Sequence, residues 1–185
     1  MRKVISFTLA FLFLFISAQA QDESSTPQKI GGLTSFYAEL GGPGILFSAN
    51  LDRRFKQSHL GWGGRVGLGF VTFYNDNYVS TPTGGYYTGG NQASVVTFPV
   101  QINYIFGKGS SPHTFEVGGG ITVAGKKIDP FNFNDEEETA LFGTASFMYR
   151  RQPMNGGFMW KAGFTPIIAK GYIQPSGGVS VGYNF

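Results

Sequence analysis

The chain has 185 residues with 28 glycines, 19 phenylalanines, 9 tyrosines and 2 tryptophans, but no cysteine. Charged residues make up 14% and the formal net charge is +3. The lack of cysteine excludes a disulfide scaffold and a cysteine-ligated zinc module. Many aromatics with little net charge argue against bulk disorder. The glycines and 9 prolines oppose long helices, which leaves an all-β chain with many turns.

Residues 1–20 read as a secretory signal peptide. Arg2 and Lys3 open it, residues 4–16 are almost wholly apolar, and Ala18, Gln19 and Ala20 supply a small-residue cleavage site before Gln21. The apolar run is shorter than the roughly 20 residues a spanning helix needs. Cleavage removes Arg2 and Lys3 and lowers the formal charge from +3 to +1, leaving no basic patch for nucleic acid. No cysteine follows the site to carry a lipid anchor. Residues 21–33 are a flexible polar lead-in, and residues 34–185 form the barrel domain.

From residue 34 the chain alternates with period two, punctuated by Gly, Pro, Asn and Asp. Eight strands are predicted: 34–42, 44–55, 62–74, 93–106, 113–124, 139–151, 156–166 and 176–185. Each is near the 9–11 residues of a tilted membrane strand. One face is apolar: Ile45, Phe47, Ala49 and Leu51 in the second strand, Val96, Phe98, Val100, Ile102, Tyr104 and Phe106 in the fourth. The opposite face is small, polar or charged.

Alternation alone does not say which face points inward. A soluble barrel buries its apolar face; a membrane barrel turns that face to lipid. Low total charge favours the membrane, because a soluble surface carries more Lys and Glu. The connections also alternate in length. Residues 54–60, 107–112 and 152–155 are short, whereas 75–92, 125–138 and 167–175 are long. Short periplasmic turns and long outer loops have this pattern. Residues 41–44 are the exception, an outer connection that reads as a tight turn. Tyr74, Tyr104, Tyr149 and Trp160 are predicted contributors to the interface girdles.

The ordered motifs Glu39 to Gly44, Arg65 to Gly69, Phe98 to Val100, Glu116 to Gly120, Gly163 to Pro166 and Gly178 to Phe185 carry a resemblance over nearly the whole mature chain. It resembles the small OmpA/OmpX-type eight-stranded outer-membrane barrels, and in particular uncharacterised barrel proteins of Bacteroidota. The resemblance implies an up-and-down antiparallel transmembrane β-barrel in the outer membrane of a Gram-negative bacterium. It carries over no catalytic residue. Val179, Val181, Tyr183 and Phe185 resemble the C-terminal signal recognised by the barrel-assembly machinery, an expected partner during biogenesis. Outer-membrane lipid and lipopolysaccharide are the other expected partners.

Seven charges are placed on the inward face: Glu39, Asp52, Arg54, Arg65, Glu116, Arg150 and Lys161. An eight-stranded interior is just wide enough to be filled by side chains, so these charges have to pair. Glu39 and Glu116 are expected to meet Arg65 and Lys161, as a structural plug or a gated ion path. Tyr86 and Tyr87 in the second outer loop, and Asp129, Phe131, Phe133, Asp135 and Glu136 in the third, are candidate contacts for a surface ligand. The acidic loop lacks the ligand spacing of a calcium site.

No enzyme, cofactor or metal site is expected. His59 and His113 both fall in short turns without partners and read as solvated. Residues 120–127 approximate a phosphate-binding loop, but Lys127 stands where Ser or Thr belongs and no helix follows. The functional expectation is a structural or surface-binding barrel acting through its outer loops. The alternatives are a narrow channel for small solutes and a soluble periplasmic ligand carrier of lipocalin type.

Overall fold

The computed structural model describes residues 32–81, 84–128 and 139–185. The expected signal peptide and most of the expected lead-in lie outside the described residues, as do Asp129, Phe131, Phe133, Asp135 and Glu136. The strands are β1 (Thr34–Gly41), β2 (Phe47–Arg54), β3 (Gly61–Thr81), β4 (Gly84–Gly107), β5 (His113–Ile128) and β6 (Thr139–Arg151). They continue with β7 (Gly157–Phe164), β8 (Ile167–Ala169), β9 (Tyr172–Gln174) and β10 (Gly177–Asn184). β8 prolongs β7 beyond Pro166, and β9 leads into β10, so the ten strands build eight staves. Every pairing is antiparallel, and β1 pairs with both β2 and β10, which closes the barrel. Thr34 and Phe185 exchange backbone hydrogen bonds of 3.0 and 2.8 Å at the end where β1 begins and β10 ends, the near end.

Period-two alternation sets the two faces. Gln101 is 2% exposed, between Val100 at 47% and Ile102 at 56%. The same holds around the wall: Glu39, Asn50, Asp52, Thr97, Asn103, Ser180 and Asn184 are buried inward, while Phe36, Leu68, Phe115, Phe147, Val181 and Tyr183 lie exposed outside. The barrel is therefore polar inside and apolar outside, the reverse of the lipocalin alternative. Glycines admit the larger inward side chains. A Cβ at Gly182 would overlap the Phe36 carbonyl and Tyr37, and one at Gly63 would overlap the Arg54 guanidinium.

Toward the near end, aromatic rings pack edge-on or tilted along the outer wall. Trp62 meets Tyr104 edge-on at 5.2 Å, and Tyr104 lies 4.5 Å from Phe106. Tyr149 lies 5.7 Å from Phe115 and 5.2 Å from Trp160. Amphipathic rings at one level of an apolar wall suit a membrane–water interface. The side chain of Tyr74 lies outside the described residues.

Several expectations need correction. Residues 75–92 are not a loop: β3 runs to Thr81 and β4 starts at Gly84, paired as far as Thr81↔Gly84. The Tyr, Thr and Val content of this stretch suits strands even though its Gly and Asn read as a loop. Tyr86 and Tyr87 are thus paired strand residues, opposite Val79 and Tyr78. Residues 167–175 contain the small β8–β9 hairpin. Ile45 does not share the outward face of β2. It is buried, at φ 78°, and precedes a strand that begins only at Phe47.

Candidate functional site

The lumen gathers the charged side chains, all seven of them buried. They arrive from β1, β2, β3, β5, β6 and β7, because each occupies an inward position of its strand. Glu39 pairs with Arg65, and its other carboxylate oxygen accepts from Ser180 at 2.9 Å. Arg65 also donates to Asn50 Oδ1 at 3.1 Å. Lower in the barrel, Glu116 accepts from Lys161 at 2.8 Å and from Arg150 at 2.7 Å. Arg150 reaches Asp52 at 2.9 Å, and Asp52 also pairs with Arg54.

Tyr37 joins the two groups. Lys161 Nζ lies 3.0 Å from its hydroxyl, and Arg65 stands 5.5 Å from its ring centroid on the inner wall. Asn103 donates to Asp52 at 3.0 Å, and Arg150 donates to Ser35 at 2.7 Å. Arg150 is thus the hub that ties Asp52 to Glu116. Neighbouring polar side chains supply further bonds to these buried charges, although Arg150 Nε has no partner among the described residues.

The first far-end connection is more than the tight turn expected. The 3-10 turn Gly42–Gly44 folds into the lumen, with all three residues buried, and approaches β1 to β6 and β10. Thr122 donates its hydroxyl to the Pro43 carbonyl at 2.6 Å, and Thr97 donates to the Gly44 carbonyl at 3.0 Å. A Cβ at Gly42 would stand 2.6 Å from the Glu39 carboxyl carbon, which explains the glycine there. Above this cork lies an apolar cluster of Ile45, Val71, Val95, Ala124, Phe142 and Ile167. Sequence reading could not see the cork: inward Thr97 and Thr122 were legible, but their acceptors belong to a remote turn.

At the near end Gln152 donates from its side chain to the His59 carbonyl at 2.8 Å and from its backbone to Pro112 at 2.9 Å. His59 is not simply solvated, since its Nε2 is buried without a hydrogen-bond partner. That burial pushes its pKa below 6.5. His113 is exposed and contacts the Tyr149 hydroxyl. Among the described residues, no group of three or more His, Cys, Asp or Glu side chains is placed to hold a metal ion. Residues 120–127 lie within β5, so no helix N-terminus is present to cradle phosphate.

A closed antiparallel up-and-down barrel of eight staves, apolar outside and charged within, defines the class of small OmpA-like outer-membrane-type β-barrels. In line with this, the chain is similar to the crystal structure of the N-terminal β-barrel domain of Pseudomonas aeruginosa OprF. The TM-score is 0.50 at 11% identity, covering 84% of this chain and 99% of that one. That likeness is one of fold. No protein-family model and no curated protein sequence matches the chain.

Proposed function

We propose that the protein is a non-enzymatic integral outer-membrane protein of a Gram-negative bacterium, with a structural and surface-binding role. The inverted distribution of polarity carries the membrane assignment: the wall offers lipid Val100, Ile102, Phe147 and Val181, while charge and amides stay inside. The aromatic belt at the near end then marks the periplasmic interface, and lipid and lipopolysaccharide are the partners of the outer wall.

The surface role rests on the β3–β4 hairpin. β2 pairs with β3 only as far as Phe70, and β5 pairs with β4 only from Thr97. The two strands continue together well beyond those points, to Thr81 and Gly84. The hairpin therefore projects past its neighbours at the end assigned to the cell exterior. From Val71 to Ser80 and from Gly85 to Val96 no further strand pairs with it among the described residues. Exposed edges of this kind accept an added strand from a partner.

The test is to shorten the hairpin at the Thr72–Ser94 pair, whose hydroxyls lie 3.0 Å apart, with a two-residue turn. The shortened protein is expected to enter the outer membrane with its mobility still shifted by boiling, while losing binding of host or matrix proteins to intact cells. Unchanged surface binding refutes the surface role. A protein recovered from the soluble periplasm refutes the membrane assignment.

A further inference from the structure

Side chains do not cover the outer wall evenly. Gly64, Ile102 and Gly119 occupy one outward row across β3, β4 and β5. The Phe55 ring covers the first glycine, standing 3.3 Å from where its Cβ would be. Nothing covers Gly119, whose Cβ would meet no atom nearer than 4.0 Å. The wall is hollow at that point. An open apolar groove of about 520 Å³ is walled by Trp62, Ile102, Tyr104, Phe106 and Val117, with Gly119 in its floor. Along β4 the stretch from Ile102 to Phe106 is roughly 13 Å long, at about 3.3 Å per residue. One leaflet of a bilayer holds hydrocarbon to a depth of roughly 15 Å. The groove therefore suits one acyl chain lying in one leaflet.

The near-end rim beside the groove is cationic. Lys108 follows Phe106 two residues on, in line with the groove, and is exposed. His113 opens β5 next to it, contacts the Tyr149 hydroxyl and pairs in register with Arg151 on β6. Lys108, His113 and Arg151 enter no ion pair among the described residues, and every described carboxylate side chain at this end is buried in the lumen. An apolar slot that ends on unpaired cations is complementary to an amphiphile with an anionic head. A second copy in the same membrane would bring the same cations to the same rim, and like charges oppose that contact.

We propose that the groove holds one acyl chain of an anionic phospholipid, whose phosphate meets Lys108 and Arg151, with His113 between them. The proposal rests on the reading of the outer wall as lipid-facing. It narrows that partner to one lipid class at one place, at the end opposite the projecting hairpin.

The experiment folds a Trp160→Phe protein into phosphatidylcholine vesicles, so that Trp62 in the groove wall is the remaining tryptophan. Part of the lipid is then replaced by phosphatidylglycerol or by phosphatidylcholine, each brominated on its acyl chains. Bromine quenches a tryptophan that it touches. Quenching of Trp62 is expected to show a preference for phosphatidylglycerol of about 5-fold, the factor for one cation beside an anionic head. Lys108→Gln with Arg151→Gln is expected to bring the two lipids to parity. Gly119→Leu fills the floor, keeps every charge, and is expected to do the same. The two charge substitutions lie at the exposed rim and remain decisive if Gly119→Leu does not assemble. Equal quenching by both lipids in the folded protein overturns the proposal. A preference that survives Gly119→Leu also overturns it, because attraction to the rim alone then accounts for the selectivity. Quenching that falls as protein per vesicle rises places a second copy in the groove and overturns it too. A protein that does not insert, with no mobility shift on boiling, refutes the membrane assignment and this proposal with it. An inserted protein without lipid preference leaves the membrane assignment standing.

Discussion

Glu116 holds the lower half of the lumen together, so its replacement by Gln is the sharpest probe of the charge network. Its two oxygens accept from Lys161 at 2.8 Å and Arg150 at 2.7 Å, and all three side chains are essentially inaccessible to solvent. Glu116→Gln keeps the shape but removes the charge. The amide oxygen can accept from only one of the two cations and its NH2 faces the other, while Lys161 keeps Tyr37 and Arg150 keeps Asp52. The interior imbalance grows from one positive charge to two. Breaking a buried pair by removing one partner costs about 3–5 kcal/mol. That is a large part of the roughly 5–15 kcal/mol by which folded domains are usually stable. The assay is urea unfolding of the protein folded into lipid vesicles, followed by tryptophan fluorescence. Trp62 is exposed on the outer wall and Trp160 packs at a tilt against Tyr149 there, so both report loss of the barrel. Adding Lys161→Met removes one of the two cations left without a counter-charge at this position and is expected to recover at least half of the loss. A single variant that unfolds within about 1 kcal/mol of wild type, or a double variant worse than the single, would refute the view that these charges are held by mutual pairing.

Other substitutions test the faces and the packing. Val100→Asp places a charge on the outward apolar wall and is expected to impair assembly by up to about 2 kcal/mol, whereas Gln101→Asp, which faces Arg65 across 3.5 Å, is expected to assemble. The ratio of heat-modifiable to unshifted band reads both, and the opposite ranking would mean the faces are reversed. Gly182→Ala would push a methyl into the Phe36 carbonyl and Tyr37, at an expected cost of about 1–3 kcal/mol in vesicle unfolding. Gly119→Ala points outward, with its nearest neighbour at 4.0 Å, and is expected to be neutral; equal effects would contradict the assigned register. His59 is predicted to titrate below 6.5, since burial favours its neutral form. Between the folded and unfolded values the unfolded chain binds more protons, so the near-end turn loses stability as pH falls below 6.5. NMR titration of the ring, with amide exchange of residues 55–60, checks this; a ring titrating at or above 6.5 fails it.

The staves were legible because their signal is local. In β4 the run from Val96 to Phe106 alternates without interruption, and each inward Thr97, Gln101 or Asn103 is announced by its apolar neighbours. The candidate charges were legible for the same reason, since a charged residue at an inward position of a strand has few other places to go. Their partners were less so. Glu39 does meet Arg65 and Glu116 does meet Lys161, but Arg150 was left out of the expected pairs although it reaches both Asp52 and Glu116. Pairing across a barrel depends on stagger and depth, which a strand pattern does not contain. The β3–β4 hairpin was missed for a compositional reason. Its Gly and Asn residues read as loop, while the ladder that makes it a strand pair depends on backbone hydrogen bonds between residues up to Thr81 and from Gly84.

The sequence by itself determined a β-rich chain, the positions of its staves, and which residues share a face, because side-chain direction in a strand follows a fixed period of two. Its low charge and aromatic faces also pointed to the orientation of those faces. Only the tertiary structure decided that Gly41 to Ile45 turns inward as a cork, that Thr97 and Thr122 hold it, and that Tyr37 sits between two ion-pair groups. Those contacts join residues far apart in the chain, and they exist only once the closed barrel brings opposite walls within the length of a side chain.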